Sequence, residues 1–340
     1  MDNAKNIAVV GCGYWGKNLI RNFAELETLH TICDADSQKL DSFKLLYPGL
    51  NAETDYLQVL RNDEIKGVVI ATPAVLHYSM AKKALLAGKD IFVEKPFTTK
   101  SQEAQELVEL SEKQERVLIV GHLLLYHPAV QKLKDFIQSG ELGEIYHLYS
   151  TRINLGQIRQ DENALWRLVP HDIAMFIYLL EDSPVVVSAQ GGTYLQPNFV
   201  DIVFVTLRFG KIMAHVHASW LDPHKIRQLT VIGSKKMATF DDMEPEDKLK
   251  IYDKGVVTDC DTESPFSGAF VLRSEEVFSP QVDLTEPLRL ECLEFIKCMR
   301  DRKKPISDAK LGLKVVEALE TADKLMQEEK KTTNVTGRNG

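Results

Sequence analysis

The chain has 340 residues, 44% of them hydrophobic and 26% charged, as expected for a globular protein of one large or two ordinary domains. A net charge of -8 argues against a general nucleic-acid-binding protein, which would usually be basic. Because no apolar run approaches the roughly 18 residues of a membrane span and the first residues show no signal-peptide pattern, we expect neither nucleic acid nor membrane as a partner.

The five cysteines, at positions 12, 33, 260, 292 and 298, form no CxxC pair and have no metal-ligand spacing. Scattered cysteines among apolar neighbours are typical of reduced, buried thiols, which predicts a cytoplasmic protein. His215, His217 and His224 lie near one another in the sequence, but no acid or cysteine completes a site around them, so we predict no metal.

The first stretch has the pattern of a dinucleotide site. Ile7–Val10 is a short apolar strand, residues 11–16 read G-x-G-x-x-G, and a helical pattern follows to about Glu27. The first glycine permits a tight turn, the second lets backbone approach a pyrophosphate, and the third lets the helix pack on the strand. The predicted cofactor contacts here are Gly11, Cys12, Gly13, Tyr14, Trp15 and Gly16.

A second strand, residues 31–33, ends at Asp34, which lies 18 positions after Gly16. This is close to the spacing of an acid that hydrogen-bonds the ribose of NAD. A carboxylate there would repel the 2′-phosphate of NADP, so NAD is the predicted cofactor. The alternative is a glycine-rich turn without a ligand, with Asp34 as a helix N-cap.

Strands at about residues 68–71, 91–94 and 117–121 alternate with helices at about 37–46 and 74–87 and from 98 or 99 onward. This alternation predicts an α/β fold with a Rossmann, doubly wound parallel sheet. Ligands bind beyond the carboxyl ends of such strands. Thr72, Pro73, Glu94 and Lys95 are at those ends, and Pro96 must end the strand before it. Lys95 is therefore a functional candidate, and the alternative is a salt bridge to Glu94 or to another acid.

After about residue 124 the strands become longer and partly alternate apolar with polar residues, at 145–153, 185–194, 200–209, 212–220 and 228–232. We predict a Rossmann domain over 1–123, an α+β substrate domain with a mostly antiparallel open sheet over 124–330, and a polar tail over 331–340. An open sheet face with few helices to cover it predicts a homodimer or homotetramer through this sheet, which a monomer in light scattering would contradict.

Together these motifs resemble the Gfo/Idh/MocA family of NAD(P)-dependent sugar and cyclitol dehydrogenases, over nearly the whole chain. The resemblance rests on the glycines of 11–16, Thr72-Pro73, Glu94-Lys95-Pro96, His171-Asp172 and the segment 305–308. It implies that Lys95 polarises the reacting hydroxyl and that His171 is the general acid or base. It also implies cofactor contacts from Thr72, Pro73, His77, Glu94 and Lys95.

One departure from the family is Arg167, because an aspartate commonly stands four residues before this histidine. An arginine would lower the proton affinity of His171, or could bind a substrate carboxylate or phosphate. It would also suit a catalytically silent NAD-binding regulator on the same fold.

The polar loop at 151–163 resembles the sugar-nucleotide branch of the family, whose members oxidise the 3-hydroxyl of a nucleotide-linked, UDP-type amino sugar. Arg152 and Arg159 are then candidates for the diphosphate, and a solvated loop is the alternative. A free sugar or a cyclitol is the competing substrate class. The remaining substrate-binding candidates, for several of which packing is an equal alternative, are His122, Tyr126, Asn154, Trp166 and Arg167.

Overall fold

The structure is a computed structural model that describes residues 5–156, 162–197, 199–258 and 270–336. The chain divides into two compact units, the first made of residues 1–126 and 285–317 and the second of residues 127–284 and 318–340. Within the described ranges, no helix is both long enough and apolar enough to cross a membrane.

The first unit contains a parallel sheet with the strand order β3-β2-β1-β4-β5-β6. Four of its strands, β1, β4, β5 and β6, are fully buried, which explains why they carry continuous apolar runs rather than alternating ones. The predicted doubly wound Rossmann sheet is confirmed. The strands are β1 (Ile7–Val10), β2 (Leu29–Cys33), β3 (Asn51–Glu53), β4 (Gly67–Ile70), β5 (Asp90–Glu94) and β6 (Leu118–Gly121).

Helices connect these strands, with short 3-10 turns at Ala74–Leu76 and Leu123–Tyr126. The helices are α1 (Gly16–Glu25), α2 (Ser37–Leu46), α3 (Tyr56–Arg61), α4 (His77–Leu86) and α5 (Ser101–Lys113). The N-cap of α2 is Asp36, whose carboxylate accepts the Gln38 N–H at 3.0 Å. The alternative in which Asp34 caps this helix is therefore wrong.

Residues 285–317, which the sequence placed in the second domain, belong to the first unit. They contain α9 (Pro287–Asp301) and the start of α10 (Ala309–Thr336), which continues into the stretch predicted as a polar tail. The reason is apolar packing: the ring of Phe295 meets Phe23 of α1 and Phe92 of β5 edge-on, at centroid distances of 6.4 and 5.9 Å.

The second unit contains a sheet with the order β14-β13-β12-β11-β7-β10-β9-β8, antiparallel except for the pair β7–β10. This confirms the predicted mostly antiparallel sheet and adds three strands after residue 236. The strands are β7 (Ile145–Ile153), β8 (Val185–Gly192), β9 (Ile202–Phe209), β10 (Ile212–Ser219), β11 (Ile226–Gly233), β12 (Met237–Asp241), β13 (Leu249–Thr258) and β14 (Phe270–Phe278). The helices are α6 (Pro128–Gln138), α7 (Ala164–Leu168) and α8 (Pro170–Leu180).

The two faces of this sheet differ. On β7, Leu148, Ser150 and Arg152 are buried, while the residues between them are more exposed. The other face of β7 and β10 carries His147, Tyr149 and His215, whose rings contact one another, with Tyr149 and His215 stacked at 5.4 Å and 8°.

Candidate functional site

The glycine turn after β1 has the geometry that a pyrophosphate needs. Gly11 has a φ of +98°, and a Cβ on it would lie 2.6 Å from the carbonyl oxygen of Ala71. A Cβ on Gly16, at the start of α1, would lie 1.8 Å from the carbonyl oxygen of Gly11. Gly13 differs, because its Cβ would meet nothing within 4 Å. Two of the glycines are thus required by packing, and the third leaves space for a ligand beside the backbone.

Asp34 follows β2 on the same edge of the sheet. Its Oδ2 accepts the Cys12 N–H at 2.8 Å and its Oδ1 the Asp36 N–H at 2.9 Å. Burial opposes its ionisation, but these hydrogen bonds and the Lys39 ammonium hold the pKa of Asp34 below its ordinary value. The side chain is therefore a carboxylate with lone pairs left for a ribose hydroxyl.

The other residues of the turn have distinct surroundings. Burial is the main reason that the pKa of the Cys12 thiol rises to about 12, and the contact of Cys12 with Asp34 is made by its backbone N–H. Tyr14 is exposed, with the Lys17 ammonium 5.0 Å from its ring centroid. The Trp15 indole N–H donates to Oε1 of Glu94, which links the turn to the end of β5.

At the end of β5, the Lys95 N–H donates to Oε2 of Glu94 at 3.2 Å, and the Lys95–Pro96 peptide is cis. Burial raises the pKa of Glu94 to about 7, against the opposing effects of Trp15 and the Lys95 charge. The Lys95 charge also acts on His122, which follows β6. Lys95 is partly exposed, so its ammonium is a cation at the carboxyl edge of the sheet with two titratable neighbours.

His77 was predicted to contact the cofactor, but the structure gives it an internal role. Its ring is 1% exposed, with Nδ1 lying 2.8 Å from the Pro96 carbonyl oxygen and Nε2 2.9 Å from the Thr72 carbonyl oxygen. His77 thus joins the segment after β4 to the segment after β5. Thr72 is partly exposed and Pro73 exposed at the first of these segments, where the sequence predicts cofactor contacts.

His122 and Tyr126, both predicted to bind substrate, differ in their hydrogen bonds. The Tyr126 hydroxyl is 2.9 Å from the Ser307 Oγ and its ring is 2% exposed, so we reassign Tyr126 to the core. His122 is equally buried, yet neither ring nitrogen has a hydrogen-bond partner within the described residues. Burial, aided by the Lys95 charge, lowers the pKa of His122 to about 3. It is therefore a neutral imidazole whose donor and acceptor are both unused.

Glu291 of α9 is a buried acid that the sequence analysis did not identify as a candidate. It is fully buried, both carboxyl oxygens lack a hydrogen-bond partner in the described part of the chain, and burial together with the charge of Glu94 holds its pKa well above the ordinary value. The sequence does contain a signal. Leu288, Cys292 and Phe295 form the apolar stripe of this helix, and the helical period places Glu291 on that stripe.

Replacing Glu291 with Gln should stabilise the protein increasingly as pH rises. The folded state binds this proton more tightly than the unfolded state, so the wild-type contribution is full below the ordinary glutamate pKa and is lost as pH rises. A glutamine has no proton to lose, and the free energy of unfolding of E291Q relative to wild type should rise by at most about 1.4 kcal/mol per pH unit. Urea unfolding at about pH 5 and pH 8 measures this, and an equal difference at both values would contradict it.

In the second unit, Arg152 was predicted to bind a substrate diphosphate, but its guanidinium is already paired with a carboxylate. Its Nε donates to Oδ2 of Asp172 at 2.8 Å and an Nη to Oδ1 at 3.0 Å, and the Asp172 side chain is fully buried. This bidentate pair joins β7 to α8. Its physical reason is that Arg152 points inward on an alternating strand, where a guanidinium requires a carboxylate.

The other candidates of this unit lie on α7, on α8 and in the loop before them. His171 is the second residue of α8 and is partly exposed, as are Trp166 and Arg167 of α7 and Asn154 after β7. An Nη of Arg167 lies 3.6 Å from Oε2 of Glu162. Arg159 lies outside the described residues.

Two further properties bear on the chemistry. Across the described ranges, no group of three or more histidine, cysteine or acidic side chains is arranged to hold a metal ion. The open space at Gly13 and the carboxylate of Asp34 fit an NAD pyrophosphate and ribose, with no 2′-phosphate to repel.

Comparison with known proteins adds the family relationship. Residues 5–122 match the model for an oxidoreductase family with an NAD-binding Rossmann fold, and residues 130–239 match the model for the GFO/IDH/MocA C-terminal domain.

The individual relatives share about a quarter or less of their residues with this chain. The UDP-N-acetylglucosamine 3-dehydrogenase of Acidithiobacillus ferrooxidans is 26% identical over 257 residues, covering 74% of this chain and 77% of that protein. A solved structure of the enzyme from the same organism shares the fold, with a TM-score of 0.81 at 21% identity over 95% of this chain and 98% of that one. The inositol 2-dehydrogenase 2 of Saccharopolyspora erythraea is 26% identical over 59% of this chain and 62% of that protein.

Proposed function

Because the chain belongs to the Gfo/Idh/MocA family of NAD-binding oxidoreductases, we propose that it oxidises a secondary hydroxyl of a sugar to a ketone. The proposed substrate is a UDP-type nucleotide-linked amino sugar, oxidised at its 3-hydroxyl. The observation that carries the proposal is the position of Lys95, a cation at the carboxyl end of β5 on the edge that also holds the glycine turn and Asp34.

In this proposal Lys95 binds the hydroxyl oxygen and stabilises the negative charge that develops on it as the proton leaves. NAD, when bound, accepts the hydride from the same carbon. The O–H and C–H bonds break, the C=O bond forms, and the proton must pass to a base of the chain.

The family resemblance gives the role of base to His171, and the surroundings of four other histidines agree with this choice. In the first unit, His122 has its pKa lowered to about 3 by burial, and both nitrogens of His77 lie against backbone carbonyls. His30 contacts Thr31 and Glu64. In the second unit, His127 caps α6 through Nδ1, and burial lowers its pKa to about 4. These four histidines are therefore less suited to accept the proton than His171, to which the family resemblance assigns the role.

His122 remains a substrate-binding candidate for a different reason. A buried imidazole with two unused hydrogen-bonding groups is costly, and a sugar hydroxyl can both donate to it and accept from it. We therefore assign it to substrate binding rather than to proton transfer.

A free sugar or a cyclitol is the second candidate substrate. It is favoured by the pairing of Arg152 with Asp172, which removes one of the two arginines proposed for a diphosphate. The similarity to an inositol 2-dehydrogenase points the same way.

The two substrate classes are separated by a panel of nucleotide sugars, free sugars and inositols assayed with NAD. Formation of the reduced cofactor is followed by absorbance. Turnover with UDP-linked amino sugars at the lowest KM is the expected result. Rates on free sugars or inositols alone would discard the nucleotide-sugar assignment while leaving the dehydrogenase assignment in place.

We also propose that the chain forms a homodimer or homotetramer through the open face of the second sheet. Phe204 is half exposed there and stacks on His217 at 4.5 Å, and Met213 is also exposed. Burial lowers the pKa of His147, His215 and His217, so these three imidazoles are uncharged at neutral pH and can be covered at low cost. Light scattering should report a dimer or tetramer, and a monomer at working concentration would exclude this assembly.

A further inference from the structure

The first turn of α8 carries two adjacent polar residues with different surroundings. His171 is partly exposed, whereas Asp172 is fully buried. No side chain caps the N-terminus of this helix, whose N-cap is Val169. The helix therefore lacks the usual contact that fixes its first turn.

Asp172 instead ties this first turn to side chains of β7, inside the unit. Its Oδ1 accepts from the Ser150 hydroxyl at 2.5 Å and from an Nη of Arg152 at 3.0 Å, and its Oδ2 accepts from Nε of Arg152 at 2.8 Å. Both partners belong to β7, two residues apart, so they point to the same face of the sheet. Arg152 is itself only 6% exposed.

The Lys134 ammonium donates to the Tyr178 carbonyl oxygen near the other end of α8. The remaining buried side chains of the helix are apolar and cannot fix its first turn in this way. Its buried residues after Asp172 are Ile173, Ala174, Met175, Phe176, Ile177 and Leu179. Apolar contacts are non-directional, so a helix held by them alone tolerates small rotations and shifts. Three directional hydrogen bonds to one carboxylate, two of them from a rigid guanidinium, do not allow such rotations and shifts.

We propose that Asp172 and Arg152 are positioning residues for His171, with the ion pair fixing the rotation of α8 that presents the imidazole to the substrate. The inference rests on the proposed function, in which His171 is the general base. A buried ion pair is often no more stabilising than apolar residues of similar size, so its retention for geometry is consistent with its energetics. The competing hypothesis, that the ion pair of Arg152 and Asp172 only stabilises the fold, predicts a different outcome in the experiment below.

The double variant R152M/D172L removes both charges without leaving either one unpaired. We expect a folded protein with wild-type affinity for NAD in fluorescence titration. We expect kcat to fall about ten- to a hundredfold, because a displacement of about 1 Å can cost this much. KM should change less, because the substrate contacts outside α8 remain.

Asp201 is the matched control in the same unit. It is also fully buried and accepts from the Trp220 indole N–H at 2.6 Å and from the Tyr194 N–H at 2.7 Å. D201N should lower the melting temperature. At assay temperatures below the unfolding transition, its kcat should equal that of the wild type. If D201N and the double variant lower kcat equally, the effect is one of general stability and the proposal is wrong.

The pH profile of kcat gives a second readout. R152M leaves an extra negative charge beside His171 and should move the acidic limb to higher pH, whereas D172N leaves an extra positive charge and should move it to lower pH. If either single variant does not fold, the double variant decides the question through kcat alone.

The outcomes separate this inference from the proposed function. Wild-type turnover in an H171N variant would overturn the assignment of His171 and the inference with it. Loss of turnover in H171N together with a wild-type kcat and pH profile in R152M/D172L would overturn only the positioning role.

Discussion

Replacing Lys95 with alanine is expected to lower turnover by about a hundred- to a thousandfold, the loss seen when one donor to a developing oxyanion is removed. The ammonium is a cation at the carboxyl end of β5, whose charge acts on both Glu94 and His122. NAD binding should survive, because the pyrophosphate and ribose contacts come from the glycine turn and Asp34. Steady-state kinetics with the best substrate of the panel and fluorescence titration with reduced NAD measure the two effects.

The chain provides a matched control at the opposite end of the same strand. Lys89 precedes β5, is 5% exposed, and its ammonium donates to the carbonyl oxygens of Asn62 and Ile65 at 2.8 and 2.7 Å. K89A should destabilise the unit while leaving kcat unchanged, because this lysine lies at the amino ends of the strands. Undiminished turnover in K95A would show that Lys95 is not catalytic.

The sequence predicts the first sheet well because its strands are buried on both faces and therefore appear as uninterrupted apolar runs. The exceptions are instructive. The edge strand β3, Asn51–Glu53, has no apolar run, because its three residues are partly or fully exposed, unlike those of β6 at the opposite edge. Strand β12, which pairs on both sides, was missed for a different reason: its five alternating residues precede an acidic turn that dominates the local pattern.

Side-chain roles were harder to predict than strands, because a role depends on partners that are distant in sequence. Arg152 and Asp172 are 20 residues apart, and Tyr126 and Ser307 are 181 apart. The alternation on β7 does place Arg152 inward, and an inward arginine requires a buried carboxylate. That reasoning would have indicated a structural pair, but the abundance of polar residues after it favoured a binding loop.

Residues 285–317 pack in the first unit, and the hydrophobic pattern of this segment alone could not predict that. An amphipathic helix reveals which of its faces is apolar, but not which sheet that face will cover. Phe295 settles the question only through its contacts with Phe23 and Phe92, which are far earlier in the chain. The same packing brings Glu291 into the unit that contains Glu94, and so creates the pair of buried carboxyl groups that no single stretch of sequence contains.

Replacing His171 with asparagine is expected to lower kcat by about a hundred- to ten-thousandfold, the range for loss of a general base. In the oxidation direction the imidazole must be neutral to accept the hydroxyl proton, so wild-type kcat should fall at acidic pH, where an imidazole base becomes protonated. The variant should lose that acidic limb along with most of its rate, because asparagine does not titrate. Initial rates measured between about pH 5 and pH 9 test both statements.

His127 provides the control for this substitution. Its Nδ1 accepts the Ala129 N–H at 3.1 Å as the N-cap of α6, and asparagine is among the best residues at an N-cap. Since burial lowers the pKa of His127 to about 4, it does not change charge in the range where the base must work. H127N should therefore keep both the rate and the pH profile of the wild type. A limb that persists in H171N but disappears in H127N would transfer the role of base from α8 to the start of α6.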